Sequence, residues 1–569
     1  MDLLCDDDFP LPEQIISNRQ SHNTFFENEL TYLFFVSSSH CHISTLKTLS
    51  NRVINTLHTF QNLDDDPSTG EWKHYFRLYY ALILHSRDLF IGKGLQTFSY
   101  MLVYSWHQVF PDMAVNALES FLYQYDDNRP SFGSWRDIKY LCEMVKLISP
   151  LRDNDPLIAK CVTIMNKQLN DDIHTWIYSA NCRSPEHISM VAKWIPRENK
   201  RFHWLYNLLV ENWINTTHPN ILKTAIRPEI YFKAMNKAKR MYRKKFSMLN
   251  KAIETMEIHL CKHNYYDIQP HSIPRTSFHK MRQIQNKLHV DDYSSKTKFQ
   301  IKHCVDRYHS FYQEVIDSPS NKCEWFSLPT PGFYVKEALQ IIKSPTIDFK
   351  YRNKICNEWS KNVLLMKTSD QFNILPVVDI SISMQQNNRS KLYDAVGLAL
   401  VACHNSSFGK RLLAIDSTPI WIQLDDCGDF VSTIKHIFDI LTYHCSPQTH
   451  FFNSISFLTN SMSFSSSLVH DMKIVFFSDF QKEDDFFEKF PAHIESSFRH
   501  IRCRIPKVAF WNIGNQNLID IHKEDLDNHF IFLSGNTFHS LKSLQLCFQH
   551  NHSSVHMIEY LLRHPRYYI

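Results

Sequence analysis

Glycine is scarce in this chain, with 10 residues among 569. Each one that remains is therefore informative, because glycine persists where φ is positive or where two backbones pass close together. Long apolar runs are absent: none reaches about 18 residues, so no membrane-crossing helix is expected. Paired cysteines are absent too. The 14 cysteines are scattered without a CxxC, which implies reduced thiols in a cytosolic-type compartment. The first residues, MDLLCDDDFPLPEQ, are acidic where a secretory leader needs a basic start, so secretion is not expected. Net charge is small, at +4, and says less about partners than local clustering does. No nucleophile elbow, Walker loop, HExxH or kinase signature occurs, and the 32 histidines are dispersed. A non-enzymatic chain is the expectation.

What is present divides by texture. With 569 residues and 43% hydrophobic content, two to four packed domains are expected. Residues 1–24 read as a polar arm. Residues 25–316 are mainly helical. WKHYFRLYYALILHSRD (Trp72–Asp88) and SWRDIKYLCEMVKLI (Ser134–Ile148) repeat apolar residues at three- and four-residue steps. In RKKFSMLNKAIETMEIHLCK, Phe246, Leu249, Ile253, Met256 and Leu260 form one stripe facing a core. Stacked helix pairs of a HEAT-like repeat array would give this texture. Residues 317–372 read as a Ser/Pro-rich linker with connecting helices. From 373 to 569, ILPVVDI, RLLAID, IWIQL, KIVFFSDF, KVAFWNIG and HFIFLSG alternate with helical stretches, as in a doubly wound parallel sheet. The fold class expected is α plus α/β. Ligands of such sheets bind outside the carboxyl ends of the strands.

Two stretches carry candidate chemistry. In VVDISISM, Asp379 ends the first strand, and Ser381 and Ser383 follow. FFSDFQ brings Asp479 to the same edge, and SPQTHFF puts Thr449 in a loop before a helix. Two carboxylates and three hydroxyls on one rim suit a hard cation such as Mg2+. The other reading is strand-end polar groups, with a serine capping the next helix. The second stretch is KAMNKAKRMYRKKFSMLNK, which holds Lys237, Lys239, Arg240, Arg243, Lys244 and Lys245 and no acid. Arg275, Lys280 and Arg282 extend it, with Phe278 and His279 interleaved. Such a cluster neutralises phosphates, and interleaved aromatics suit single-stranded bases. A solvated helix face, or a dock for the acidic arm at Asp6–Asp8, would look the same in sequence.

The Asp379, Ser381, Ser383, Thr449, Asp479 set resembles the metal-ion-dependent adhesion site (MIDAS) of von Willebrand factor A domains. All five positions are filled, with Ile382 where that family favours glycine; a β-branched residue there restricts the loop and is expected to weaken the metal site. HSRDLFIGKGLQTF resembles the RD and GKG signature of the Ro-type, or TROVE, RNA-binding module. GSWRDI is similar to its G-x-W-x-D-L signature, with Ile138 in place of leucine. YRKKFSMLNKAIETMEIHLCKHNYYDIQPHSIPRTSFHKMRQ, FSDFQ, KVAFWNI and FLSGNTFHSL resemble blocks of uncharacterised TROVE-like proteins of plants, fungi and giant DNA viruses. The resemblance covers roughly residues 25–545. It implies a ring of helical repeats closed by the A-type domain, so that residues 25–100 and 335–569 touch. It further implies a ribonucleoprotein component binding small noncoding or single-stranded RNA, with a Mg2+ site open to a partner's carboxylate. The location implied is cytoplasmic, or the virion or viral factory for a viral source. The competing expectation is a protein-interaction or structural scaffold that has kept the fold without RNA.

Overall fold

The computed structural model describes residues 13–37, 43–63, 72–124, 130–178, 188–223, 227–269, 284, 294–317, 329–344, 349–366, 373–404, 406–442, 451–461, 472–480, 486–501, 503–514, 530–538, 540–549 and 554–568. The chain opens with α1 (Glu13–Val36), α2 (Ile43–Leu63), α3 (Trp72–Arg87) and α4 (Thr97–Val109). It continues with α5 (Pro111–Leu122), α6 (Arg136–Ile148), α7 (Pro156–Tyr178), α8 (Val191–Trp194), α9 (His203–Thr217), α10 (Asn220–Lys223), α11 (Pro228–Ala252), α12 (Met256–Cys261) and α13 (Ser295–Asp317). After α14 (Pro331–Lys343) and α15 (Phe349–Leu365) come β1 (Ile374–Asp379), α16 (Ile382–His404), β2 (Arg411–Ile415), β3 (Ile420–Gln423), α17 (Phe430–Leu441) and α18 (Phe451–Ser461). The last elements are β4 (Lys473–Ser478), α19 (Phe486–His500), β5 (Lys507–Asn512), β6 (Phe530–Ser534), α20 (Ser540–Gln549) and α21 (Ser554–Leu562).

These elements form two compact units. One comprises residues 1–87, 91–110 and 330–569; the other comprises 88–90 and 111–329. The division differs from the sequence boundaries at 316 and 372, because α1–α4 cluster with the sheet. The expected arm over 1–24 is also shorter, since α1 begins at Glu13. The expected linker holds two ordered helices. The Thr330 hydroxyl accepts from the Phe333 N–H at 3.2 Å, and Pro331 opens α14, which is the chemistry of a helix start.

In the sheet unit the strand order is β3-β2-β1-β4-β5-β6. All pairs are parallel except β2–β3, so the sheet is mixed where an all-parallel one was expected. β1 is buried along its length, the signature of a strand covered on both faces. Pro376 in this central strand lacks an N–H. It is tolerated because pairing with β2 starts only at Val377. Alternation puts Phe476 and Phe510 on one face, stacked at 6.0 Å, and Phe477 and Trp511 on the other, at 5.4 Å. Two scarce glycines lie where α14 packs on α16. A Cβ on Gly397 would sit 2.6 Å from the Pro331 carbonyl carbon, and one on Gly332 would sit 2.0 Å from an Asp394 oxygen.

The expected contact between residues 25–100 and 335–569 is present within this unit. α1 packs on β5, β6 and α21, and α21 also packs on α3. The Asn512 amide donates to the Phe35 carbonyl at 2.9 Å. Lys93, the lysine of GKG, is buried. Its ammonium donates to the Phe34 carbonyl at 2.5 Å and to the Ser37 and Ser534 hydroxyls at 2.6 Å each, 3.4 Å from the Phe34 ring centroid. Burial holds its pKa well below the ordinary lysine value. Lys93 thus ties the end of α1 to the end of β6.

The second unit is helical. Tyr242 of α11 lies 5.5 Å from Trp213 and 6.0 Å from Tyr206, both of α9. Its hydroxyl donates to the Asn166 side chain of α7 at 2.9 Å. Ala238, Tyr242, Phe246, Leu249 and Ala252 are the buried face of α11, at the steps an amphipathic helix requires. The stripe read as continuous to Leu260 is broken: Glu254 has φ of 49°, and α12 starts anew after extended Thr255. The apolar period survives across a break that periodicity cannot register.

Candidate functional site

β1 and β4 are neighbours whose following helices lead away to β2 on one side and β5 on the other. Strand order reverses between them, which opens the crevice where α/β sheets place ligands. Asp379 is the last residue of β1, and Asp479 follows the last residue of β4. The structure brings four of the five predicted rim residues together. The Asp379 Oδ1 atom accepts from the Ser381 N–H at 2.9 Å, and Oδ2 accepts from the Ser478 hydroxyl at 2.5 Å. The Ser381 and Ser383 hydroxyl oxygens are 3.0 Å apart, and the Ser383 hydroxyl donates to Asp479 Oδ1 at 3.0 Å. Thr449 lies outside the described residues.

Three features of the rim depart from the sequence expectation. The serines do not share a loop: α16 starts at Ile382, so Ser383 is in its first turn. Ile382, expected to restrict a loop, is instead the first residue of that helix and is 43% exposed. The third feature went unread in the sequence. Lys391, more than two turns along α16, donates from Nζ to Asp479 Oδ2 at 2.8 Å, and the two side chains are 3% and 1% exposed. Long side chains on a helix lean toward its N-terminus, which carries this ammonium back to the rim. A lone lysine heading the apolar run KLYDAVGLALVAC was the available signal. Next to Asp479, buried Phe480 has φ of 45°, a strained conformation for a bulky residue. Its N–H is held by the Ser478 hydroxyl at 2.9 Å.

This donor set does not fit an open magnesium centre. Each of the four carboxylate oxygens accepts a hydrogen bond from the protein. An ammonium also stands where a dication's charge would be needed. Among the described residues, no three His, Cys, Asp or Glu side chains are grouped to hold an ion, a grouping that a rim of two carboxylates and hydroxyls would not form.

The basic stretch lies on α11 in the helical unit. Lys237, Arg240, Arg243 and Lys244 are exposed, and Lys239 and Lys245 are half-buried. Two of them meet an acid that the stretch itself lacks: Glu198, in the turn before α9, lies 3.5 Å from Arg243 and 3.8 Å from Lys239. Arg275, Lys280 and Arg282, with Phe278 and His279, lie outside the described residues, as does the Asp6–Asp8 arm.

Beside α11 is a cleft of about 780 Å³ lined in part by Trp194, Tyr206 and Phe246. Its wall carries the cations Lys193, Arg197, Arg243, Lys251 and Lys262, against the acids Glu198 and Glu257. Lys193 pairs with Glu257 at 3.1 Å. Trp194 continues the surface onto α6, where Lys139 Nζ lies 5.0 Å from its ring centroid and 4.9 Å from that of Phe202. Burial, and then Arg136, lowers the Lys139 pKa. Lys146 lies 4.3 Å from the Trp204 ring centroid. Sequence reading found the helix but not these partners, which come from segments up to about a hundred residues away.

The fold is thus of the α plus α/β class, made of a helical unit and a sheet-centred one. No family model matches the chain, and no solved structure matches it. A protein of Acanthamoeba polyphaga mimivirus named "Uncharacterized protein L728" is 21% identical over 511 residues, spanning 87% of this chain and 81% of that protein. Among the described residues, no helix is long and apolar enough to cross a membrane.

Proposed function

We propose that this chain is a non-enzymatic ribonucleoprotein component whose helical unit binds single-stranded or small noncoding RNA. The cleft beside α11 carries the proposal, because five cations line one concavity together with the half-buried Trp194 ring, the other two rings, Tyr206 and Phe246, being buried in its wall. Aromatic faces stack unpaired bases of any sequence, and cations follow the backbone. The exposed Lys237, Arg240 and Lys244 extend the positive surface along α11. The resemblance to TROVE-like proteins points the same way, and it favours a cytoplasmic or viral-factory setting.

Titrating a fluorescent 12-nucleotide single-stranded RNA at several salt concentrations tests this. Expected is saturable binding that weakens with salt, with a slope of about −0.7 for each phosphate neutralised. A well-folded protein with no salt-dependent binding would support the scaffold reading. One observation favours that second reading: Ile230, Tyr231 and Phe232, in the first turn of α11, are 47%, 39% and 68% exposed, an apolar patch suited to a protein partner.

A further inference from the structure

We propose that Lys391 is the resident cation of the Asp379–Asp479 rim, so that this site is built to hold its shape without a divalent metal. Two carboxylates buried at the ends of neighbouring strands cannot both stay charged without compensation. Asp379 receives neutral donors, the Ser381 N–H and the Ser478 hydroxyl. Asp479 receives one hydroxyl, from Ser383, and one full positive charge, from Lys391. The ammonium therefore neutralises the carboxylate that the Ser381–Ser383 hydroxyl chain leads to.

Lys391 is not a surface lysine leaning over a vacancy. Its side chain is 3% exposed, and α16 packs on both β1 and β4. Withdrawing the ammonium would open a hole against the sheet and leave Asp479 bare. A dication bound among these oxygens would face a buried like charge that has no route to water. The serines keep their place for a different reason. The Ser383 hydroxyl satisfies the second oxygen of Asp479, and the Ser381 N–H closes the turn that ends β1. A partner that docks on this crevice must therefore do so without a bridging metal. The inference is independent of the RNA reading, which concerns the other unit.

The test uses the full chain. Wild-type protein is melted in 5 mM EDTA, 5 mM MgCl2 and 5 mM MnCl2, and each metal is titrated by calorimetry. Expected are equal Tm values and no saturable heat. A Tm gain with either metal, or one bound ion per chain, would overturn the proposal. Lys391→Met is then melted in the same three conditions. Expected is a fall in Tm of about 5–10 °C in EDTA, partly restored by MgCl2, since the vacated charge is now one a metal can supply. A variant as stable as wild type and indifferent to metal would also overturn it. If Lys391→Met does not fold, the wild-type result alone decides.

Discussion

The rim of the sheet and the face of α11 both look like charged functional sites in sequence, yet the structure treats them in opposite ways. At the rim every carboxylate oxygen has a protein donor, and the buried Asp479 and Lys391 charges are paired with each other inside the fold. On α11 and its cleft, cations outnumber acids and most stand at the surface. Charge that is satisfied internally contributes to architecture. Charge left over is available to a partner. The difference lies in what each side chain meets across the fold, which neighbouring sequence does not show.

The largest effect should come from breaking the satisfied site. Asp479→Ala leaves the Lys391 ammonium buried without its partner. Removing one member of a buried pair costs about 3–5 kcal/mol. Denaturant unfolding followed by the fluorescence of Trp511, in the adjacent strand β5, should show that loss. RNA affinity of the folded fraction should be unchanged. A loss below about 1 kcal/mol would mean that the pair is not what holds the rim.

Acid should act next, and through the same unit. Burial, then Lys93 and then His564, holds the His85 imidazole at about 3 against its ordinary 6.5. Its Nδ1 lies 3.1 Å from the Tyr567 hydroxyl. The folded chain therefore keeps His85 neutral, while the unfolded chain protonates it below about 6.5. Stability from this group is fully present above 6.5 and falls as pH drops toward 3, by roughly 1.4 kcal/mol per pH unit. His85→Gln should remove that slope relative to wild type. Parallel pH profiles for the two proteins would refute the assignment.

The exposed face should respond in binding and not in stability. Arg243→Glu with Lys244→Glu should weaken a short RNA by about tenfold or more at moderate salt. The salt slope should flatten by roughly one unit for each phosphate left without its cation. Tm should move little, because both side chains are exposed. An unchanged affinity would favour the scaffold reading.

Much of the fold was legible in sequence because buried parallel strands write themselves as apolar runs. ILPVVD, KIVFFS and KVAFWN each became a strand. β3 was found as a strand but not as antiparallel, since orientation depends on the path of the connecting chain. Asp379, Ser381, Ser383 and Asp479 were legible because strand ends converge on one edge. Lys391 was not, because its meaning depends on which residue of β4 lies opposite the helix. Glu198 was missed for the same reason: it stands some forty residues before the cations it meets.

Glu198 supplies the finest test of the comparison. Its carboxylate lies 3.5 Å from Arg243 and 3.8 Å from Lys239, and it is about 30% exposed. At these distances and that exposure, each pair contributes well under about 1 kcal/mol to stability. Glu198→Gln should therefore leave Tm within about a degree of wild type. It should also release Arg243, which lines the cleft, and Lys239 one turn before it, and remove a negative charge from the cleft wall. If the face exists for a polyanion, RNA affinity should rise by about two- to fivefold at low salt, and the gain should shrink as salt screens it. The sign is what matters, because a substitution that weakens a structural ion pair is otherwise expected to be neutral or harmful. A drop in affinity would show that Glu198 orients Arg243 for its ligand, placing it with the satisfied architecture of the rim. A gain would show that even on this face the fold holds part of the charge in reserve.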